Sequence, residues 1–167
     1  MPGLPLGSGD IFLAVQAKRG GAIKGESAVP GHADEIVIAS WRWSVQASSS
    51  LGATAATARR SYSGLTVVKS IDSASTALLA ALATNDEIKQ AVLTMRKSGG
   101  GEAVDYFFIT LKEARVTQIE HSTNEQGDTH ESVTFAFRKL EVEYRRQEKS
   151  GGRGASHVFT DEIVPSA

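Results

Sequence analysis

Apolar and polar residues alternate along most of this chain, and a period of two is typical of β-strands with one buried face. The alternation is longest over residues 34–46, where it predicts one long, half-buried strand. The residues of that segment that share the apolar phase are Val37, Ala39, Trp41, Trp43 and Val45. Further strands are predicted over residues 10–16, 60–71, 88–97, 103–112, 115–122 and 131–146. About seven strands are enough for a β-barrel or a β-sandwich.

One segment departs from the strand pattern. Residues 75–83 are rich in alanine and leucine, which are strong helix formers, and we expect a single short helix there. Asp72 or Ser73 is placed to cap its N-terminus. The leucines predicted to share one face of this helix are Leu78, Leu79 and Leu82.

Turn residues separate several of the predicted strands. The glycine-rich residues 98–102 predict a hairpin turn, and residues 124–128 predict a longer one. In the last predicted strand the apolar phase changes near Arg138 and Lys139. Such a change predicts a bulge, or a chain that crosses from one sheet to another.

Both ends and one internal segment lack a periodic pattern. Residues 1–9 are rich in glycine and proline, and residues 148–167 include a glycine- and serine-rich stretch, so we expect flexible tails around one domain at residues 10–147. Residues 17–33 contain four glycines and one proline between two predicted strands. Loops of that length inside a compact domain are usually functional or disordered.

Three predicted strands are apolar on both faces, whereas an antiparallel sheet in a monomer usually has one apolar and one wet face. They lie at residues 11–15, 36–39 and 106–111. One short helix shields about two or three strands, and at about 25 cal/mol per Å² the remaining apolar area favours self-association. The alternative is that the chain's own loops and helix cover the second face.

Composition narrows the classes of partner. Lysine and arginine total 18 and aspartate and glutamate total 19, so no net positive field attracts nucleic acid. The absence of cysteine excludes disulfides and thiolate metal sites. The N-terminus does not resemble a signal peptide, and no apolar run approaches the ~20 residues that span a bilayer. We therefore expect synthesis in the cytoplasm, no membrane insertion and no nucleic-acid partner.

No familiar catalytic or ligand-binding motif is present in the sequence. The four histidines, none at a metal-ligand spacing, are His32, His121, His130 and His157. The Gly-x-Ser-x-Gly pentapeptide of α/β-hydrolases is absent, and the glycine runs lack the context of phosphate-binding loops. We therefore expect no catalytic residue, no metal and no cofactor. A hydrolase with a dispersed active site is left as an alternative.

A monomeric barrel that binds a small ligand or single-stranded nucleic acid is the second alternative. In that case Trp41 or Trp43 stacks on a base, and the arginine pairs at residues 59–60 and 145–146 contact the phosphates. The near-neutral net charge argues against it.

Several short segments, taken in their order along the chain, indicate a resemblance to a known family. The first three are I-x-G-E-S at residues 23–27, Gly-His at residues 31–32 and S-W-x-W-x-V at residues 40–45. The later ones are the leucine- and alanine-rich residues 75–83 and the strands at residues 91–97, 106–111 and 131–144. Together, over residues 10–147, they resemble the haemolysin-coregulated protein (Hcp) family of type VI secretion systems.

The resemblance implies a mainly β fold, an antiparallel β-barrel of two sheets with one short α-helix and a long extended loop. It implies a structural subunit of the inner tube of the secretion system, in which homohexameric rings stack. The implied partners are other copies of the chain, the contractile sheath and spike proteins, and effector proteins carried or chaperoned in the lumen. The implied location is cytoplasmic, followed by secretion through the type VI system without a signal peptide.

By matching position, the resemblance also places contacts between subunits or rings in the extended loop. The candidate residues are Ile23, Lys24, Gly25, Glu26, Ser27, Gly31 and His32. The alternative is an Ω-loop that packs only on its own barrel.

Overall fold

The computed structural model describes residues 10–48, 59–98, 103–147 and 153–163. Within these ranges the chain forms strands and a single helix. The strands are β1 (Ile11–Ala17), β2 (Gly21–Ile23), β3 (Ile36–Val37), β4 (Ser40–Arg42), β5 (Val45–Ser48), β6 (Arg59–Tyr62), β7 (Leu65–Ser70), β8 (Ile88–Ser98), β9 (Ala103–Thr123), β10 (Thr129–Ala136), β11 (Lys139–Gln147) and β12 (Arg153–Glu162). The helix is α1 (Ser75–Ala83), between β7 and β8.

The strands pair antiparallel in two large sheets that share β9. Sheet A has the order β2, β1, β8, β9, β11, β12, with β3 also paired to β1. Sheet B has the order β9, β10, β7, β4. The predicted mainly β, antiparallel fold with one helix is confirmed. In the part of the chain that is described, however, the two sheets do not close into a strict barrel.

The long strand β9 forms one corner between the sheets. Its first half pairs with β8 and β11, and its second half pairs with β10. Glu113 lies between the halves with φ at 50°, where the chain changes direction. The two strands predicted at residues 103–112 and 115–122 are therefore one strand, bent as it passes from sheet A to sheet B.

The next crossing confirms the prediction made from the change of apolar phase. β10 ends at Ala136 in sheet B, and β11 begins at Lys139 in sheet A. Between them Phe137 is buried in the core, and the Arg138 carbonyl accepts a hydrogen bond from Ile163 N at 2.7 Å. The side chains that face the core therefore change phase because the chain changes sheets.

Residues 34–46 do not form the single long strand that their alternation predicts. The segment is divided into β3, β4 and β5, because it leaves β1 for β7: Ile38 N donates to the Ile11 carbonyl, and Ala39 N donates to the Val68 carbonyl. At its start the buried side chains are Ile36 and Ile38, the opposite phase to the one predicted. The tryptophans are partly buried against the core, and Val45 is 49% exposed.

The predicted strand at residues 60–71 is also divided, at Gly64. A Cβ atom on Gly64 would lie 2.8 Å from Thr134 Cγ2 and 2.9 Å from the Phe135 carbonyl oxygen. Only glycine allows this close approach of β10. The break separates β7, in sheet B, from β6, which pairs with β5 in a sheet of its own.

The helix lies where the sequence places it, but its cap and its buried face differ from the prediction. Ala74 is the N-cap residue, and Asp72 instead accepts a hydrogen bond from Ala74 N at 2.9 Å. Leu78 and Ala81 are buried, whereas Leu79 is 41% exposed. Of the predicted leucine face, Leu82 also packs against the core, so only Leu79 departs from the prediction.

The core lies between the inner faces of the two sheets. From sheet A it includes Leu13, Val15, Ala91, Leu93, Ile109, Leu111 and Leu140. From sheet B it includes Leu65, Val67, Val133 and Phe135. Each set recurs at every second position, as expected for one face of a pleated sheet.

The C-terminal residues form a strand that the sequence did not predict. Arg153–Glu162, predicted as part of a C-terminal tail, form β12 and pair along β11. The predicted boundaries of the domain stay a prediction, and the N-terminal tail lies outside the described residues. Most of the turn predicted at residues 98–102 also lies outside the described residues, although its first residue, Ser98, is paired with Ala103, which follows the turn. In the turn at residues 124–128, Asn124 N donates to the Asp128 carbonyl at 2.9 Å.

Candidate functional site

Residues 24–35, which we call the cover loop, follow β2 and form most of the predicted extended loop. The loop is held by its own backbone: Gly25 N donates to the Asp34 carbonyl at 2.8 Å, and Ser27 N donates to the Glu35 carbonyl at 3.0 Å. Asp34 N donates back to the Ser27 carbonyl at 2.8 Å. The two sides of the loop therefore run beside each other as a narrow hairpin.

The candidate contact residues of the loop divide into an inward and an outward group. Those buried against this chain are Ile23, Gly25, Ser27 and His32. Those exposed are Lys24, Glu26 and Gly31. Glu26 accepts a hydrogen bond from Ser73 N at 2.8 Å, which ties the loop to the approach of α1. A role of any of them in contacts between subunits stays a prediction.

His32 fastens the cover loop to sheet A, and we call its contacts the His32 latch. Its Nε2 lies 2.9 Å from an oxygen of Asp105 on β9, and its Nδ1 lies 3.0 Å from Glu35 Oε1. The ring stacks on Phe12 of β1 with 4.3 Å between centroids and 2° between planes. The sequence indicated His32 through the Gly-His pair but gave no sign of Asp105.

The latch explains how one apolar strand face is covered. Leu13 and Val15 of β1 face the core, so Phe12 lies on the opposite face of sheet A. Phe12 is nevertheless 0% exposed, because His32 lies on it. The chain's own loop thus covers part of the second apolar face, which the sequence left open.

A second projecting element is the pair β5 and β6, which we call the arm. Its described strands pair only with each other, and most of their side chains are exposed. At its base Trp43 stacks on Tyr62 with 5.7 Å between centroids, and Ser44 N donates to Ser63 Oγ at 2.8 Å. The sequence did not predict the arm.

The arm is joined to sheet A at Asp161 of β12. Arg60 donates to this carboxylate through Nε and, at 2.6 Å, through Nη2. The Tyr62 hydroxyl donates to it at 2.6 Å. The hydrogen bonds from Arg60 and Tyr62 lower the pKa of Asp161 to about 2. We call these contacts the Asp161 clamp.

We expect the Asp161 clamp to make part of the protein's stability acid-sensitive. The pKa of Asp161 falls from 3.8 to about 2 on folding, so its contribution is complete above pH ~4 and is lost as the pH falls towards 2. The difference in free energy of unfolding between wild type and Asp161→Asn should therefore shrink by about 1 kcal/mol between pH 5 and pH 2. Urea titrations at each pH measure it, with Thr160→Asn as the non-titrating control. A constant difference would contradict the prediction.

A buried ion cluster lies on the inner face of sheet B, beneath the start of α1. Lys69 and Glu131 are both 0% exposed, with Nζ 2.6 Å from Glu131 Oε1 and 2.8 Å from Asp72 Oδ1. Ser75 Oγ donates to Glu131 at 3.1 Å, and His121 Nε2 lies 2.5 Å from its other oxygen. Burial alone would raise the pKa of Glu131, but these hydrogen bonds and the Lys69 charge hold it below its usual value.

The large apolar side chains that are exposed fall mainly into two groups. The edge patch lies on β11 and β12, with Tyr144 and Phe159 on one face of the sheet and Val158 on the other. The helix patch is Ile71 and Leu79, just before and on α1. β12 ends sheet A on one side, whereas α1 adjoins β1 and β2 at the other side, where Ala77 and Ala81 line a cleft with Ala17 and Ile23. The two patches therefore lie at different sides of the molecule.

Several of the groups proposed for ligand or nucleic-acid binding make contacts within the chain. Trp41 lies 6.4 Å from Phe107 between centroids, and Arg145 contacts both Glu143 and the Phe108 ring. Within the described ranges no group of three or more histidine or carboxylate side chains is placed to hold a metal ion. Nor is any described helix long and apolar enough to cross a membrane.

Comparisons with known proteins agree with the geometry. A model of the family described as "Type VI secretion system effector, Hcp" matches residues 12–144. Protein hcp1 of Pseudomonas aeruginosa is 32% identical over 154 residues, covering 89% of this chain and 91% of that protein. The crystal structure of Hcp1 from Salmonella typhimurium has a TM-score of 0.73 and 26% identity, over 92% of this chain and 95% of that one. A variant of Hcp1 from the E. coli EAEC 042 pathovar has a TM-score of 0.76 and 20% identity, over 92% and 97%.

Proposed function

Because the chain belongs to the Hcp family of type VI secretion tube proteins, we propose that it assembles into homohexameric rings that stack into the inner tube. The family assignment rests on the match over residues 12–144 and on the similarity to protein hcp1. The number six comes from the family resemblance. We further propose that the contractile sheath and spike proteins are its partners, that the lumen carries or chaperones effector proteins, and that the protein has no catalytic activity.

The observation that carries the proposal is the separation of the two exposed apolar patches. A ring requires each copy to present two different surfaces that fit each other, since one self-complementary surface gives a closed dimer. The edge patch and the helix patch lie at different sides of sheet A. At about 25 cal/mol per Å², mutual burial of side chains that are half exposed favours such a head-to-tail contact.

β12, which carries most of the edge patch, also forms an edge of the described part of sheet A. Among the described residues β12 pairs only with β11, so one side of this ten-residue strand faces away from the sheet. Val158 on one face and Phe159 on the other are 55% and 53% exposed. An edge strand with unpaired backbone groups is a template for pairing with another chain, and here the proposed partner is the next copy in the ring.

We propose a different role for the outward residues of the cover loop. Lys24, Glu26 and Gly31 lie on an ordered loop that the His32 latch holds against sheet A. Their positions do not depend on a partner, so they offer a preformed surface for the neighbouring subunit or the next ring. The arm offers a second such surface.

We expect Phe159→Lys and Leu79→Lys each to prevent ring formation. Either substitution places a charge in one half of the proposed contact, and burial of an unpaired charge opposes association. Size-exclusion chromatography with light scattering and negative-stain electron microscopy should show rings for the wild type and monomers for each variant. Secretion through the type VI system should fail in the same variants.

A control variant separates this result from misfolding. Gln118→Lys adds the same charge at an exposed position of β9 in sheet B, outside both β12 and α1. This control should form rings, and the monomers of Phe159→Lys and Leu79→Lys should have thermal unfolding temperatures similar to each other. Rings from Phe159→Lys and Leu79→Lys, or a wild type that stays monomeric at high micromolar concentration, would overturn the proposed contact.

A further inference from the structure

The arm has little stability of its own. Its described strands have four residues each, and within the described chain they pair only with each other. A two-stranded sheet of this size is marginal in water without packing against a larger body. The direction in which the arm points must therefore come from its contacts with the rest of the protein.

Those contacts occur at two places. At the base Tyr62 stacks on Trp43 and meets Phe137 edge to face, at 5.6 Å between centroids. Further along the arm Arg60, opposite Ala47, reaches Asp161. Base contacts alone would leave the arm able to pivot, whereas the second contact fixes its angle to sheet A.

The carboxylate of Asp161 is saturated with donors. It accepts hydrogen bonds from Arg60 Nε and Nη2, from the Tyr62 hydroxyl at 2.6 Å and from Glu162 N at 2.9 Å. Its side chain is only 14% exposed. A guanidinium that donates through two nitrogens fixes orientation as well as distance, which a lysine ammonium does not. The low pKa of Asp161 agrees with this arrangement.

The position of Asp161 links the arm to the edge patch. Asp161 is opposite Leu140 in the pairing of β12 with β11, and Phe159 and Val158 precede it on the same strand. On the arm, Val45 is 49% exposed and is paired opposite Tyr62. The clamp therefore joins the exposed apolar residue of the arm and the edge patch into one rigid unit.

We infer that Asp161 is a positioning residue for self-assembly: it holds the arm at a fixed angle to β12, so that both meet a second copy of this chain as one surface. The inference rests on the proposed function. Fixing the arm in the monomer removes an entropic cost that association would otherwise meet. Asp161 acts through Arg60 and Tyr62 and need not touch the partner itself.

The test uses Asp161→Asn in the full chain, with two readouts. Amide hydrogen exchange in β5 and β6 of the monomer should become about tenfold faster, and the concentration for half-maximal ring formation should rise about tenfold. Arg60→Lys should give the same changes. The double variant Arg60→Asp with Asp161→Arg restores the ion pair in reverse and should return both readouts towards wild type. The control Glu87→Gln weakens the ion pair with Lys18, 3.9 Å away beside β1 and β8, on the opposite side of sheet A from β12, and should alter neither.

Each outcome decides the inference. Faster exchange in the arm with unchanged ring formation overturns it, since the arm's angle then has no bearing on assembly. Weaker ring formation with unchanged exchange also overturns it, since Asp161 then acts by another route. A wild type that forms no rings overturns the proposed function, and a wild type that forms rings while Asp161→Asn matches it in both readouts overturns only the positioning role.

Discussion

Lys69→Met is expected to lower the free energy of unfolding by about 3–5 kcal/mol, one of the largest effects of a single substitution in this protein. The substitution removes the cation that neutralises Glu131 and Asp72, of which Glu131 is 0% exposed. Methionine fills a similar volume but donates no hydrogen bond. The carboxylate of Glu131 then keeps only Ser75 and His121 as donors, in an environment that disfavours its charge.

The double variant Lys69→Met with Glu131→Leu tests this explanation. It replaces the buried pair by apolar side chains, so it should recover most of the stability that the single variant loses. Urea denaturation followed by circular dichroism gives both values, best in the monomeric Phe159→Lys background because assembly adds to apparent stability. Lys89→Met, at an exposed position of β8, is the control and should be nearly neutral. A loss below about 1 kcal/mol for Lys69→Met would contradict the expectation.

Local sequence patterns correctly predicted the elements whose conformation depends mainly on neighbouring residues in the sequence. The helix at residues 75–83 was found because alanine and leucine favour it wherever it packs. The crossing near Arg138 was found because a change of sheet reverses which side chains face the core. Both signals lie within a few residues along the chain.

Non-local pairing accounts for what the sequence did not predict. Residues 34–46 alternate regularly, but their buried phase is set by where the segment leaves β1 for β7. Arg153–Glu162 contain glycine and serine, and their strand exists because β11 offers an edge beside them. Lys69 and Glu131 sit at inward positions that composition alone would assign to a solvated face. Nothing near either residue indicates its partner, 62 positions away.

In the candidate site, too, the local segment was predicted, and the contacts between distant residues were not. The family resemblance indicated the loop that contains Gly25 and His32, but it could not separate inward from outward residues. That separation follows from the latch, which joins His32 to Asp105 across 73 positions of sequence. Asp161 was assigned to a tail and carried no signal at all, because its role depends on an arm that the pattern did not predict.

The second large effect is expected from loss of the His32 latch. His32→Ala removes a buried ring from Phe12 and the hydrogen-bonding partner of both Asp105 and Glu35. The expected cost is about 2–3 kcal/mol, borne first by the cover loop, because the loop can detach from sheet A while the core stays folded. Amide hydrogen exchange of residues 24–35 should therefore accelerate about 30- to 150-fold, while β8 and β10 change little.

A matched variant shows whether faster hydrogen exchange in the cover loop is caused by loss of the latch or by loss of any imidazole ring. His157→Ala removes an exposed ring whose described ring contact is a stack on Tyr144 at 6.3 Å, and it should leave the cover loop protected. Glu35→Gln and Asp105→Asn each weaken one side of the latch and should give intermediate acceleration. If His32→Ala instead leaves exchange of residues 24–35 unchanged, the loop is held by its backbone hairpin alone. Its outward residues are then positioned without the ring on Phe12.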